Sequence, residues 1–144
     1  SLGAGTCIAA AGRTPDAVRG IILETPYRLA RTPATNVARG VGLAVAPLMG
    51  PVFVLLRLLL GRGISDKEFD RAKLAARLRI PALVIHGTED QVSPIEDGRE
   101  IAAVCGAELV EVAGGGHNDL WSNPASVALL TARVGEALRA WNRT

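Results

Sequence analysis

Three short runs along the chain read as buried strands. Residues 20–24 are apolar up to Glu24 and stop at Thr25-Pro26-Tyr27. Residues 80–87 are the clearest strand, apolar and closed by Gly87. Residues 108–112 form a third short run. Their lengths suit buried parallel strands. Helical stretches lie between them. Leu2 to Gly12 is small and apolar. Gly3 and Gly5 lower helix propensity there, so the pattern predicts a buried helix over 6–11 that Gly12 ends. Thr14-Pro15-Asp16 then makes a turn. Residues 65–78 are amphipathic, with Ser65 as N-cap and Glu68 three positions on, a capping-box arrangement. Ser93-Pro94 predicts another helix through Val104, with Ser93 as cap and Pro94 at the first helical position. Asn123-Pro124 opens a terminal helix running to about Trp141. Strands alternating with helices predict an α/β domain with a parallel sheet and flanking helices. No internal repeat or linker composition splits the chain.

The stretch 28–63 fits this alternation least. Residues 41–60 are almost wholly apolar, interrupted by Pro47, Pro51 and Arg57. The run has the length of a membrane span, but a charge and two prolines weaken that reading. A cap over an apolar site, or a core helix pair kinked at the prolines, fits better.

Composition narrows the function classes. The 144 residues are 49% hydrophobic and 21% charged, which excludes a disordered tail. A net charge of +2 argues against nucleic-acid binding through a basic surface, and 3% aromatics are too few for a base-stacking platform. Two cysteines, Cys7 and Cys105, cannot build a disulfide framework, so both read as buried thiols in a reducing compartment. No His/Cys pairing has metal-ligand spacing. The chain opens on Ser1 without a charged leader, which favours a cytoplasmic location and suggests a processed chain or a piece of a longer one.

Candidate chemistry lies at the carboxyl ends of the predicted strands, where open parallel sheets build their sites. Asp90 follows the strand at 80–87. His117 follows the next strand, in a Gly-rich loop at 114–119. Ser1 precedes a Gly-rich helix start. A serine nucleophile needs a base within hydrogen-bond reach, and the base needs an acid to hold its tautomer. Each residue also has a plain reading. Asp90 could serve as a turn or cap aspartate, His117 as a loop residue, and Ser1 as any terminus. His86 reads as a structural strand-end histidine bonding to a neighbouring loop. Glu89 and Asp119 are the rival acids.

Together these residues resemble the C-terminal part of an α/β-hydrolase fold serine hydrolase, in its serine-aminopeptidase-like or dienelactone-hydrolase-like branch. Ser1-Leu2-Gly3 resembles the second half of the Gly-x-Ser-x-Gly nucleophile elbow. The segment Pro81-Ala82-Leu83-Val84-Ile85-His86-Gly87-Thr88-Glu89-Asp90 resembles the acid segment, and Gly115-Gly116-His117 the histidine segment. The order Ser, Asp, His is the order of this fold. Leu23-Glu24-Thr25-Pro26-Tyr27 and Phe69-Asp70 also match. The resemblance implies a partial α/β-hydrolase fold lacking the N-terminal strands, with 1–144 as the C-terminal part of one domain and an apolar cap insertion at about 28–63. It implies a catalytic triad of Ser1, His117 and Asp90, an oxyanion donor in the Leu2 N–H, and neither cofactor nor metal. Hydrolysis of a small-molecule ester, thioester or amide through an acyl-enzyme is the activity implied. Membrane contact through 41–60 is not favoured.

The departures from the family are large. The strands before the elbow and the loop supplying a second oxyanion donor are missing. The expectation is that the isolated chain is a poor enzyme and a poor folder. Its first strand would be an open edge, and its first helix would lack packing partners. Three rivals follow: a non-catalytic fragment or partner-binding module that needs a missing N-terminal half, an N-terminal-nucleophile hydrolase using the Ser1 amine as base, and a membrane-bound module anchored through 41–60.

Overall fold

A parallel three-stranded sheet is the centre of the structure, a computed structural model that describes residues 1–42, 46–60 and 70–143. Its strands are β1 (Ile21–Glu24), β2 (Ala82–Gly87) and β3 (Glu108–Val112), in the order β1-β2-β3. The register sets Leu23 beside Val84 and Ile85 beside Val110. Among the described residues the helices are α1 (Leu2–Arg13), α2 (Arg31–Gly40), α3 (Met49–Leu60), α4 (Arg71–Ala75), α5 (Ile95–Cys105) and α6 (Pro124–Trp141).

Strand alternation sorts the core into two layers. Ile21, Leu23 and Val84 face α1, α4 and α5, where Ile8, Ala75 and Ile101 are fully buried. Leu83, Ile85, Val110 and Val112 face the opposite side, closed by Leu130 of α6. A central strand buried on both faces needs apolar residues at successive positions, which β2 supplies. Trp141 closes the lower corner by lying on Gly20, where a Cβ would overlap the indole.

Several local expectations are corrected. α1 starts at Leu2, not Thr6, and runs past Gly12 to Arg13. It does not lack partners: Ala4, Ile8 and Ala11 are buried against the sheet and α4. Gly5 costs helix propensity but makes room for the Arg71 side chain, which occupies the place of its missing Cβ. Ser93 is not a cap. Pro94 takes the N-cap position of α5, while the Ser93 N–H donates to Asp90. The helix then ends at Cys105, on Gly106 in the left-handed region. The amphipathic segment is helical over Arg71–Ala75, capped by Asp70, whose carboxylate accepts from the Ala72 N–H. Ser65, Glu68 and Phe69 lie outside the described residues. Neither proline kinks a helix interior among the described residues. Pro47 sits in a 3₁₀ turn and Pro51 in the first turn of α3, where a missing N–H costs nothing. Cys7 is exposed, not buried, and Cys105 is only partly buried; both are free thiols. No helix among the described residues is long and apolar enough to cross a membrane.

The β1–α2 connection is pinned by one arginine. Arg28 binds Asp70 with Nε and Nη2 and Glu100 with Nη1, and its backbone N–H donates to Asp97. α2 and α3 pack on each other and on the 3₁₀ turn between them.

Candidate active site

The ends of β2 and β3 are stitched together by backbone. Thr88 N–H donates to the Val112 carbonyl, Glu89 N–H to the Gly115 carbonyl, and Gly114 N–H to Thr88 Oγ1. The loops approach so closely that a Cβ on Gly87 would overlap the Gly115 carbonyl. Gly114 adopts φ 69°, which glycine reaches without strain. These contacts carry Asp90 and His117, one on each loop, to the same edge of the sheet.

His117 Nδ1 lies 2.8 Å from Asp90 Oδ2. A carboxylate only accepts, so Nδ1 carries the proton, and Nε2 of a neutral ring is left with a lone pair. The other oxygen of Asp90 accepts from Val92 N–H and Ser93 N–H, each at 2.8 Å. Asp90 is thus both a turn aspartate and the partner of His117, with one oxygen for each task. His86 completes its surroundings: Nε2 donates to the Ser93 carbonyl at 2.9 Å and lies 3.5 Å from Asp90 Oδ2. This is the structural histidine expected at the strand end. Its ring is buried against Gly98 of α5, where no Cβ would fit. Burial alone would raise the Asp90 carboxyl. Bonds from His86, His117, Ser93 and Val92 outweigh it and hold the group at about 2.

The rival acids do other work. Asp119 accepts from Gly116 N–H at 2.6 Å and so shapes the histidine loop. Glu89 is exposed, and its backbone bonds Gly115.

Ser1 reaches this edge from α1. Its backbone nitrogen donates to the Glu24 carbonyl at 2.9 Å, which seats it at the carboxyl end of β1. Ser1 and His117 line one cavity of about 240 Å³ with Glu24, Thr25, Asn118, Leu120 and Trp121. Among the described residues, no hydrogen bond joins the Ser1 hydroxyl to His117. Leu2 is the first residue of α1, so its N–H belongs to the unpaired first turn at the positive end of the helix dipole. A second cavity of about 420 Å³ runs from Ser1 past Cys7, Ile22 and Val134.

Three residues of this site were missed in the sequence. Thr25 adopts φ 42°, rare for a β-branched residue, and strain of this kind collects at functional sites. Nothing in the sequence signals it. Glu24 and Trp121 meet across the cavity, Trp121 Nε1 donating to Glu24 Oε1 at 2.9 Å. The strand-end position of Glu24 was its one readable signal. Among the described residues, no cluster of three or more His, Cys, Asp or Glu could hold a metal ion.

A family model described as the alpha/beta hydrolase fold matches residues 63–124. The chain is 28% identical over 76 residues to the AB hydrolase superfamily protein YisY of Bacillus subtilis (strain 168), an overlap of 52% of this chain and 28% of that protein. Among solved structures it is similar to a monoacylglycerol lipase of Paleococcus ferrophilus, with TM-score 0.65 and 22% identity, covering 98% of this chain and 66% of the lipase. It is also similar to the enol-lactonase of Burkholderia xenovorans LB400, with TM-score 0.61 and 23% identity, covering 96% of this chain and 63% of the lactonase. The chain therefore spans just under two thirds of these structures. Sheet order, strand-end loops and these likenesses agree: the chain has the α/β-hydrolase fold, with a parallel sheet flanked by helices.

Proposed function

We propose that the protein is a serine hydrolase that cleaves carboxylic esters, thioesters or amides through an acyl-enzyme. One observation carries the reading: the 2.8 Å bond from His117 Nδ1 to Asp90, beside a cavity that His117 shares with Ser1. In this reading Ser1 Oγ attacks the substrate carbonyl carbon while His117 Nε2 takes the hydroxyl proton. Asp90 keeps the proton of Nδ1 in place and stabilises the imidazolium that forms. The Leu2 N–H bonds the oxyanion of the tetrahedral intermediate, a contact worth about 3–4 kcal/mol where a comparable donor has been removed. His117 then protonates the departing alcohol, thiol or amine. Water, deprotonated by the same nitrogen, attacks the acyl-enzyme and frees the acid and Ser1. The looseness between Ser1 and His117 fits a site without substrate, since such bonds often tighten only on binding.

The test is labelling by a fluorophosphonate probe, read beside turnover of p-nitrophenyl esters. Labelling of the protein should vanish in Ser1→Ala, and turnover should collapse in His117→Ala. A Ser1→Ala variant that still labels sinks the assignment of the nucleophile. Unchanged turnover in His117→Ala would make the Ser1 amine the base.

A further inference from the structure

Two histidines bear on one carboxylate. His117 is the accessible one and lines the cavity beside Ser1. His86 is fully buried on β2 and lines neither of the two cavities at Ser1. A carbonyl only accepts, so the 2.9 Å contact with the Ser93 carbonyl places a proton on His86 Nε2 and leaves Nδ1 bare. Nδ1 finds no partner among the described residues. A buried polar atom left unpaired costs stability, and an apolar side chain in the same space would escape that cost. What the imidazole contributes must therefore come from Nε2.

That nitrogen holds the acid turn from two sides. Ser93 N–H donates to Asp90 Oδ1 at 2.8 Å, and the carbonyl of the same residue accepts from His86 Nε2–H. Ser93 is thus clamped between the carboxylate and the ring, and it is fully buried like the ring itself. The same Nε2 stands 3.5 Å from Asp90 Oδ2. This is too far for a second full hydrogen bond, yet close enough for the positive end of the N–H dipole to act on the oxygen that meets His117. α5 backs the ring from behind: a Cβ on Gly98, near the start of that helix, would overlap Nδ1.

We propose that His86 is a positioning residue for the Asp90–His117 pair. Its Nε2–H fixes the Ser93 carbonyl, Ser93 N–H fixes Oδ1, and Oδ2 is thereby held at the one place that meets His117 Nδ1. His86 reaches His117 only through Asp90 and touches no substrate, so its effect falls on the chemical step and not on binding. The kinetic consequence rests on the hydrolase reading; the geometric one does not.

The experiment compares two amides in place of His86. Glutamine carries its amide nitrogen as many bonds from Cβ as histidine carries Nε2, and asparagine as many as Nδ1. His86→Gln therefore keeps a donor for the Ser93 carbonyl, while His86→Asn moves it to where no acceptor waits. A displacement of about 1 Å can cost about 100-fold, so kcat for p-nitrophenyl esters should fall by about 10- to 100-fold in His86→Asn and by less than about threefold in His86→Gln, with KM unchanged in both. Ring-nitrogen NMR shifts of His117, read at alkaline pH, should report the proton on Nδ1 in wild type and His86→Gln, and a mixture of tautomers in His86→Asn. This second reading needs no turnover. It decides the proposal even where wild type is inert toward esters, a result that would sink the hydrolase reading alone. Gly98→Ala pushes a Cβ into Nδ1 and should reproduce the loss of kcat and the mixed tautomers, and it stands in for His86→Asn where that variant fails to melt cooperatively. Equal behaviour of His86→Asn and His86→Gln, in kcat or in the His117 tautomer, overturns the proposal and makes His86 a space-filling residue. So does a change confined to KM.

Discussion

Replacing Asp90 by Asn removes one charge and almost no volume, yet four donors converge on this carboxylate. The amide oxygen can keep the bonds from Val92 and Ser93. The amide NH₂ must then take the place of Oδ2, facing the Nδ1–H of His117 and the nearby Nε2–H of His86. His86 cannot yield, because the Ser93 carbonyl holds its Nε2–H. A neutral His117 yields by moving its proton to Nε2, which turns the proposed base into a donor toward Ser1. An acid-to-amide change of this kind has cost about 10⁴ in turnover elsewhere. Stability should fall as well. Asp90 is held at about 2 against an ordinary 3.8, and at about 1.4 kcal/mol per pH unit this is worth about 2 kcal/mol. The sign follows from the direction. A lowered carboxyl stabilises the fold above its unfolded value, and the gain disappears as pH falls from about 4 to about 2. Denaturant unfolding of wild type and Asp90→Asn at neutral pH and near pH 2, with ester turnover at neutral pH, measures both effects. A stability gap of the same size at both pH values refutes the electrostatic account. Normal turnover at neutral pH refutes the role given to Asp90.

Two glycine tests separate helix propensity from packing. Gly3→Ala, with open space around it, should stabilise the fold by about 0.5–1 kcal/mol, whereas Gly5→Ala should destabilise it by about 1–3 kcal/mol by displacing Arg71, both read by thermal melting. A stabilised Gly5→Ala would mean that Arg71 moves aside freely. Gly87→Ala drives a Cβ into the Gly115 carbonyl and should part the acid loop from the histidine loop. A displacement of about 1 Å can cost about 100-fold in turnover, so ester hydrolysis should drop by that order while the protein stays folded.

Much of the fold was readable wherever local pattern and tertiary environment agree. β3 falls at its expected bounds, and so does α6, because Asn123 is both a strong N-cap residue by type and the cap of that helix in fact, its side chain accepting from Ser126 N–H. Asp90 and His117 were readable because strand ends in a parallel sheet converge on one edge. The failures are places where a distant partner overrides local preference. Ser93 has the composition of a cap, but its N–H is drawn to Asp90 and the cap passes to Pro94. Gly5 reads as a helix breaker, because the arginine that needs its space lies far along the chain. Thr25 gives no hint of its φ, which is imposed by the end of β1 and the bond from its N–H to Ile85.

The bonds between the loops after β2 and β3 set how this chain can diverge. Acid and histidine lie 27 positions apart, but Thr88, Glu89, Val112, Gly114 and Gly115 make their supports one rigid piece. From the α2–α3 hairpin, Asn36 Nδ2 donates to the Val92 carbonyl at 3.0 Å, next to the Val92 N–H that holds Asp90. Changes on the exposed face of α3 leave the histidine's support untouched, whereas a change at Asn36 reaches the acid loop directly. A change at Gly87 or Gly115 would be felt by the histidine at once. The chain thus carries two tolerances to substitution, low along the stitched edge and high on the outward face of α3.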